Sequence, residues 1–240
     1  MSTNPVLQLE NVSVQYGTKH VLKNISLEAQ RGVFYAVVGL NGSGKTSLFK
    51  ALTRTVACTG KIYLDGQEIQ TLKSNELSRK ISLLSQHNTI YAPLTVWEVV
   101  LMGRYPYTAV WQSYSSKDMD ICYEALELTQ TTMFKNEKIY HLSGGEAQRV
   151  WLAQKIAQNT AILLLDEPTQ HLDIKQKELF FNLLNYIIRE KQKTILMSTH
   201  DIEELHRKSG SIWYIRNQGI EVIENYTPQD VSNLKKKLLE

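Results

Sequence analysis

Apolar and polar positions follow one pattern near the start of the chain and another in the middle. Leu7, Leu9, Val12 and Val14 partly alternate with polar residues, and Val21–Leu22, Ile25 and Leu27 resume the alternation beyond Gly17, the period of strands with one buried face. Phe34 to Val38 is a short run of strand formers ending at Gly39; Lys45 to Leu52 suits a helix, and Lys61 to Leu64 a strand running into a turn. From about residue 88 to 157 the strands stop. Val96 to Met102, Met119 to Leu128 and Ala147 to Ala157 read as helices, which predicts an inserted, mostly helical lobe. Beyond Asn159 strand and helix alternate again. Ile162 to Leu165 and Thr194 to Met197 are apolar runs of the kind buried on both faces of a parallel sheet, and Leu179–Phe180, Leu183–Leu184 and Ile187–Ile188 form a helical stripe between them. The tail from Val231, with Lys235 to Lys237, predicts a charged helix with a solvated face.

The 240 residues suit one large domain, or one domain carrying an inserted lobe. Lys plus Arg number 27 against 24 Asp plus Glu; so small a surplus gives no footprint for nucleic acid. Cys58 and Cys122 form no CxxC pair, which argues against a disulfide framework or a zinc ribbon and suits a reducing compartment. The first five residues lack a basic segment followed by an apolar core, and no apolar run approaches the ~18 residues of a membrane span. A soluble cytoplasmic chain is expected, with any membrane attachment made through a partner.

Gly39–Leu40–Asn41–Gly42–Ser43–Gly44–Lys45–Thr46 matches GxxxxGK[ST] in full. Glycines let several backbone N–H groups converge on phosphate oxygens, Lys45 adds a point charge toward the β- and γ-phosphates, and Thr46 offers a hydroxyl to magnesium. The helix starting near Lys45 adds the positive end of its dipole, with Ser47 in its first turn. A glycine-rich turn before a helix is the plain structural alternative. Asp166 and Glu167 end the apolar strand at the edge where open α/β sheets place ligands. Successive strand residues point opposite ways, so the two acids are expected to divide the work: Asp166 to hold Mg²⁺ through water, Glu167 to act as general base. Two acids opening the turn at Pro168 would be the plain alternative.

Leu142–Ser143–Gly144–Gly145–Glu146 can be read as a helix-capping box or as an amide cluster ready for an anion. Together with the phosphate loop and the Asp–Glu strand, it makes the chain resemble the ATP-binding cassette (ABC) ATPases along essentially its whole length. The resemblance implies an α/β fold: a P-loop NTPase (RecA-like) core over 1–87 and 158–240 with an N-terminal antiparallel β subdomain, and an inserted α-helical subdomain over 88–157. It implies ATP and Mg²⁺. It also implies that Tyr16 stacks on adenine, that Gln86 reaches Mg²⁺ and the attacking water, that His200 contacts the γ-phosphate, and that Asp173 crosses to a partner subunit. His87, His141 and His206 are expected to be structural. In this family ATP lies between two head-to-tail subunits, so Ser143, Gly144 and Gly145 would meet the nucleotide held by the other subunit's Lys45. Leu40 where importers usually have proline, and Gln154–Lys155 in place of Ala–Arg, are mild departures.

The stretch Thr95 to Pro106 resembles that of bacterial importers for ferric siderophores, haem and cobalamin. That similarity implies a polytopic permease docked near Tyr91, Pro93, Leu94 and Arg104 to Tyr107, an external binding protein, and a place on the cytoplasmic face of the membrane. Ordinary packing of the lobe is the alternative for those residues. Another transporter's ATPase (zinc or manganese import, lipid export) and a soluble ABC ATPase remodelling a protein or nucleic-acid assembly are the competing functions.

Overall fold

The computed structural model describes residues 4–86, 88, 92–108, 112–170, 172–200, 205 and 210–239; His87, Tyr91, His171, Asp201 and His206 lie outside them. Strands β1 (Leu7–Tyr16) and β2 (Lys19–Ala29) form an antiparallel hairpin. Strand β3 (Phe34–Val38) leads through the phosphate loop into helix α1 (Lys45–Leu52). Strands β4 (Cys58–Leu64) and β5 (Gln67–Glu68) then complete an antiparallel sheet of order β2-β1-β4-β5. Helix α2 (Ser74–Lys80) precedes β6 (Ile81–Leu84).

β3 and β6 belong to a second sheet with β7 (Ile162–Asp166), β8 (Thr194–Thr199), β9 (Ser211–Arg216) and β10 (Gly219–Glu224), in the order β10-β9-β3-β8-β7-β6. All its neighbours run parallel except the β9–β10 hairpin. The apolar runs are continuous because both faces are covered. Phe34, Ala36 and Val38 of β3, with Leu163 and Leu165 of β7, face one core. Tyr35, Val37, Ile162 and Leu164 face the other, shared with α1 and the antiparallel sheet.

Between β6 and β7 lie α3 (Val96–Leu101), a 3₁₀ turn (Met102–Tyr107), α4 (Ser116–Leu128) and α5 (Gly144–Ala157). Helices α6 (Ile174–Lys191) and α7 (Pro228–Leu239) follow β7 and β10. Thr95–Glu98, Ser115–Asp118 and Ser143–Glu146 form capping boxes that start α3, α4 and α5. The 3₁₀ turn lies tight on α5: a Cβ on Gly103 would meet the Gln154 carbonyl oxygen at 2.3 Å.

Three features differ from the sequence-based expectation. α2 and the β9–β10 hairpin were not foreseen, and α4 and α5 each begin three residues earlier than their apolar stripes, because polar caps start them. Arg104 is not available to a permease. Only 5% exposed, it donates through Nε to Asp118 Oδ1 (2.8 Å) and through a terminal nitrogen to the Ala157 carbonyl (2.7 Å), and its guanidinium lies 3.9 Å from the Tyr107 ring centre. Tyr107 is also tied inward, its hydroxyl donating to the Gln158 carbonyl at 3.0 Å, while Tyr105 is 74% exposed.

Candidate functional site

The carboxyl ends of β3, β7 and β8 converge on one point. Residues 39–44 leave β3 as a loop, and Gly44 starts α1 with φ 117° and ψ 6°, where a Cβ would press on Val21 and Leu22 of β2 at 2.9 and 3.1 Å. Only glycine fits that approach. Gly42 also has positive φ. Asn41 and Gly42 are exposed, and so is Leu40, at 59%, although the Leu40 carbonyl accepts the Ser43 N–H at 3.1 Å. Gly39 has no room for a Cβ, which would lie 2.5 Å from Ser43 Oγ. That Oγ is buried and has no hydrogen-bond partner, an orphaned polar atom inside a cradle of backbone N–H groups. The loop therefore suits an anion with several acceptor oxygens.

Lys45, 5% exposed, curls back over the loop and donates to the carbonyls of Gly39 (2.8 Å) and Leu40 (3.3 Å). Its Nζ also lies 3.6 Å from Glu167 Oε1. Thr46 Oγ1 donates to Asp166 Oδ2 at 2.8 Å, and Ser47 is half-buried in the first turn of α1. Asp166 is 3% exposed and also accepts the Ser198 hydroxyl on Oδ1 at 2.6 Å. Among the described residues no cation pairs with it. A buried carboxylate held by two neutral hydroxyls offers oxygen atoms of the kind a hard divalent cation such as Mg²⁺ takes.

Glu167 turns out of the strand. Its φ of 48° is left-handed, a strained conformation for a side chain that costs on the order of 1 kcal/mol, and its N–H donates to Ser198 Oγ at 2.9 Å. The two acids point to different neighbours because the chain leaves the strand between them, not through the alternation of an extended strand. Glu167 Oε2 accepts Gln170 Nε2 at 2.7 Å and Gln86 Nε2 at 3.4 Å, and lies 3.4 Å from His200 Nδ1. Gln170 Oε1 in turn accepts Gln86 Nε2 at 3.0 Å. Lys45, Thr46, Gln86, Asp166, Glu167 and His200 are thus brought into one cluster.

Two of its members were missed in the sequence. Ser198 pairs in register with Asp166 across β7 and β8, which only the strand order reveals. Gln170, three residues beyond Glu167, carried a faint signal in lying between Glu167 and Asp173. Tyr16 is 45% exposed at the β1–β2 turn.

The other predicted residues lie apart from that cluster. Ser143 is exposed at the start of α5; its hydroxyl and N–H donate to Glu146 Oε2 at 2.6 and 2.8 Å. Those two bonds hold the Glu146 carboxyl below its usual range. Gly144 has nothing within 4 Å of an added Cβ, and Gly145 faces Gln176. Asp173 caps α6, accepting the Gln176 N–H at 2.8 Å. No hydrogen bond or ion pair among the described residues joins Ser143, Gly144, Gly145 or Asp173 to Lys45. His141 is exposed and meets the Tyr140 ring edge-on at 4.5 Å.

A strand, phosphate loop and helix, set beside a buried strand that ends in Asp–Glu, define a P-loop nucleoside triphosphatase. Comparison with known proteins narrows the class. The sequence profile of the ABC transporter family matches residues 22–170. The ferric enterobactin transport ATP-binding protein FepC of Escherichia coli (strain K12) is 36% identical over 88% of this chain and 78% of its own length. The petrobactin import ATP-binding protein FpuD of Bacillus anthracis is 33% identical over 95% and 87%. A dimeric post-hydrolysis structure of an ATP-binding cassette bound to ADP and phosphate superposes with a TM-score of 0.78 at 29% identity, over 92% of this chain and 99% of that one. The chain belongs to the ABC transporter family, and it is an ATP-binding, ATP-hydrolysing cassette.

Proposed function

We propose that this cassette is the cytoplasmic ATPase of a membrane importer for an iron complex (siderophore), haem or cobalamin, a ferric siderophore first among them. It would work as a head-to-tail homodimer on a polytopic permease fed by an external binding protein. The similarity to siderophore-system ATPases along most of the chain supports the cargo class. The observation that carries the enzymatic reading is the cluster itself, in which Lys45 faces Glu167 while Thr46 meets Asp166.

The loop from Gly39 to Thr46 binds the triphosphate through its N–H groups, and Tyr16 presents a ring face to adenine. Lys45 exchanges its contacts with the Gly39 and Leu40 carbonyls and with Glu167 for phosphate oxygens. Glu167 is then free to accept a proton from the attacking water, with His200 and Gln86 fixing its orientation. Thr46, Asp166 and Gln86 would hold Mg²⁺, which supplies charge neutralisation at the phosphates. Ser143, Gly144 and Gly145 present their hydroxyl and amides to the nucleotide on the second copy, beside Asp173, and the pair closes on ATP. On the lobe, Pro93, Leu94, Tyr105 and Pro106 remain for the permease.

Substituting Glu167→Gln keeps the shape and removes the base. Turnover should fall about 100-fold or more while ATP binding persists and an ATP-dependent dimer accumulates in size-exclusion chromatography. Unchanged turnover would remove Glu167 from the role. Tagged Glu167→Gln protein, purified with ATP from detergent-solubilised membranes, should carry a polytopic permease identifiable by mass spectrometry. Recovery of soluble partners alone would overturn the importer.

A further inference from the structure

Away from the phosphate loop, α4, α5 and α6 and the segments entering β7 and β8 enclose a cleft of about 250 Å³. Its floor is apolar: Ile121 and Leu128 of α4, Ile156 of α5, Leu163 of β7 and Ile187 of α6. Its rim is cationic, with Lys155, Lys191 and Lys193 against the single carboxylate of Glu124. Glu124 is engaged, accepting Lys191 Nζ at 2.5 Å. Among the described residues, the hydrogen-bond acceptor of Lys193 is a neutral one, Asn159 Oδ1 at 2.8 Å. Lys155 has no hydrogen-bond or ion-pair partner among the described residues, and burial pulls its pKa down to about 8. A withdrawn, unpaired ammonium is unfavourable and calls for a counter-charge.

We propose that this cleft binds a small amphiphilic carboxylate, its anionic head between Lys155 and Lys193 and its hydrocarbon body on the Ile121–Leu128–Ile156–Leu163–Ile187 floor. The charge balance selects an anion. The apolar floor selects a molecule with a hydrocarbon body over a bare, hydrated phosphate. The volume lies just under the ~300–1,000 Å³ of drug-sized ligand pockets, which suits a small acid and excludes a nucleotide. The cleft opens at the ends of β7 and β8 where Ile162 and Thr194 begin them, opposite to Asp166 and Glu167, so it is separate from the phosphate site. An occupant would grip both α5 and α6, whose far ends carry Ser143 and Asp173.

Isothermal titration of the full chain without nucleotide, using octanoate, octanol and inorganic phosphate in turn, tests this. Octanoate should bind, with octanol and phosphate each at least about tenfold weaker, the scale of one charge-assisted contact. Lys155→Met keeps the stem and removes the charge; it should cost octanoate about tenfold, leave octanol unchanged and keep ATPase activity within about twofold. Lys193→Met should weaken octanoate in the same direction, and stands in should Lys155→Met misfold. Octanoate affinity should also fall between pH 7 and 9 as Lys155 loses its proton; Lys193 before β8, whose pKa burial and the nearby Arg31 and Lys191 also lower, acts in the same direction, while its bond to Glu124 on α4 raises that of Lys191 on α6. Equal binding of octanoate and octanol, phosphate binding as tight as octanoate, no octanoate binding, or octanoate binding untouched by both substitutions would each overturn the assignment.

Discussion

Glu167 holds its carboxylate at the meeting point of Lys45, Gln86, Gln170 and His200, and Gln170 alone among them ties this proposed base to Gln86 through both ends of its amide. Replacing Gln170 with alanine removes both bonds and leaves every phosphate-facing group in place. Glu167 should then sample more orientations, and kcat should fall about five- to thirtyfold, the scale of one to two lost hydrogen bonds at about 1 kcal/mol each, with KM for ATP within about twofold. Steady-state kinetics across ATP concentration separates the two parameters, and a rise in KM at constant kcat would place Gln170 in nucleotide binding instead.

Among elements, the 3₁₀ turn and α4 depend on Arg104 and Asp118. Burial works to raise the Asp118 pKa, but the bonds from Ser115 and Arg104 outweigh it and hold it below the ordinary aspartate value. A carboxylate whose pKa is lowered by folding adds stability above its unfolded pKa and loses it as pH falls through the folded one. Acid below about pH 4 should therefore loosen the lobe. Asp118→Asn should flatten that acid limb, and Arg104→Met should cost about 3–5 kcal/mol in urea unfolding, the range for breaking one side of a buried pair.

This lobe also shows how far the sequence could be read. Phe34–Val38 and Lys45–Leu52 were legible to the residue, because an apolar run bounded by glycine and a phosphate motif leave few alternatives. The role of Arg104 was not, because its partner lies 14 residues away and nothing local announces the pair. α2 carries one buried apolar side chain, Leu77, so no periodic stripe betrayed it. The phosphate cluster was legible as a set of residue types; the Ser198 contact and the Gln170 bridge depended on strand order and loop path.

At the scale of the whole molecule, the proposed homodimer makes the Ser143–Gly145 segment and the Lys45 loop two half-sites, which no hydrogen bond or ion pair joins within one chain among the described residues. Lys45→Ala and Ser143→Arg should each be inactive alone. Mixed in equal amounts, they should form heterodimers in half of the pairs, each with one composite site intact. Activity should return to about a quarter of wild type if the two sites act independently; no recovery on mixing would argue against a shared site.

The alternation along β3 and β7 assigns neighbouring residues to different cores: Leu163 to the helical side, Leu164 to the side of α1 and the antiparallel sheet. The central sheet is therefore a party wall, and the rooms on either side can be disturbed one at a time. Amide exchange under mild denaturant should divide along it, with α3, α4 and α5 opening as one cooperative unit while α1 and the loop it anchors stay protected. A cassette built this way can lend its helical half to a moving neighbour and still keep its grip on the nucleotide.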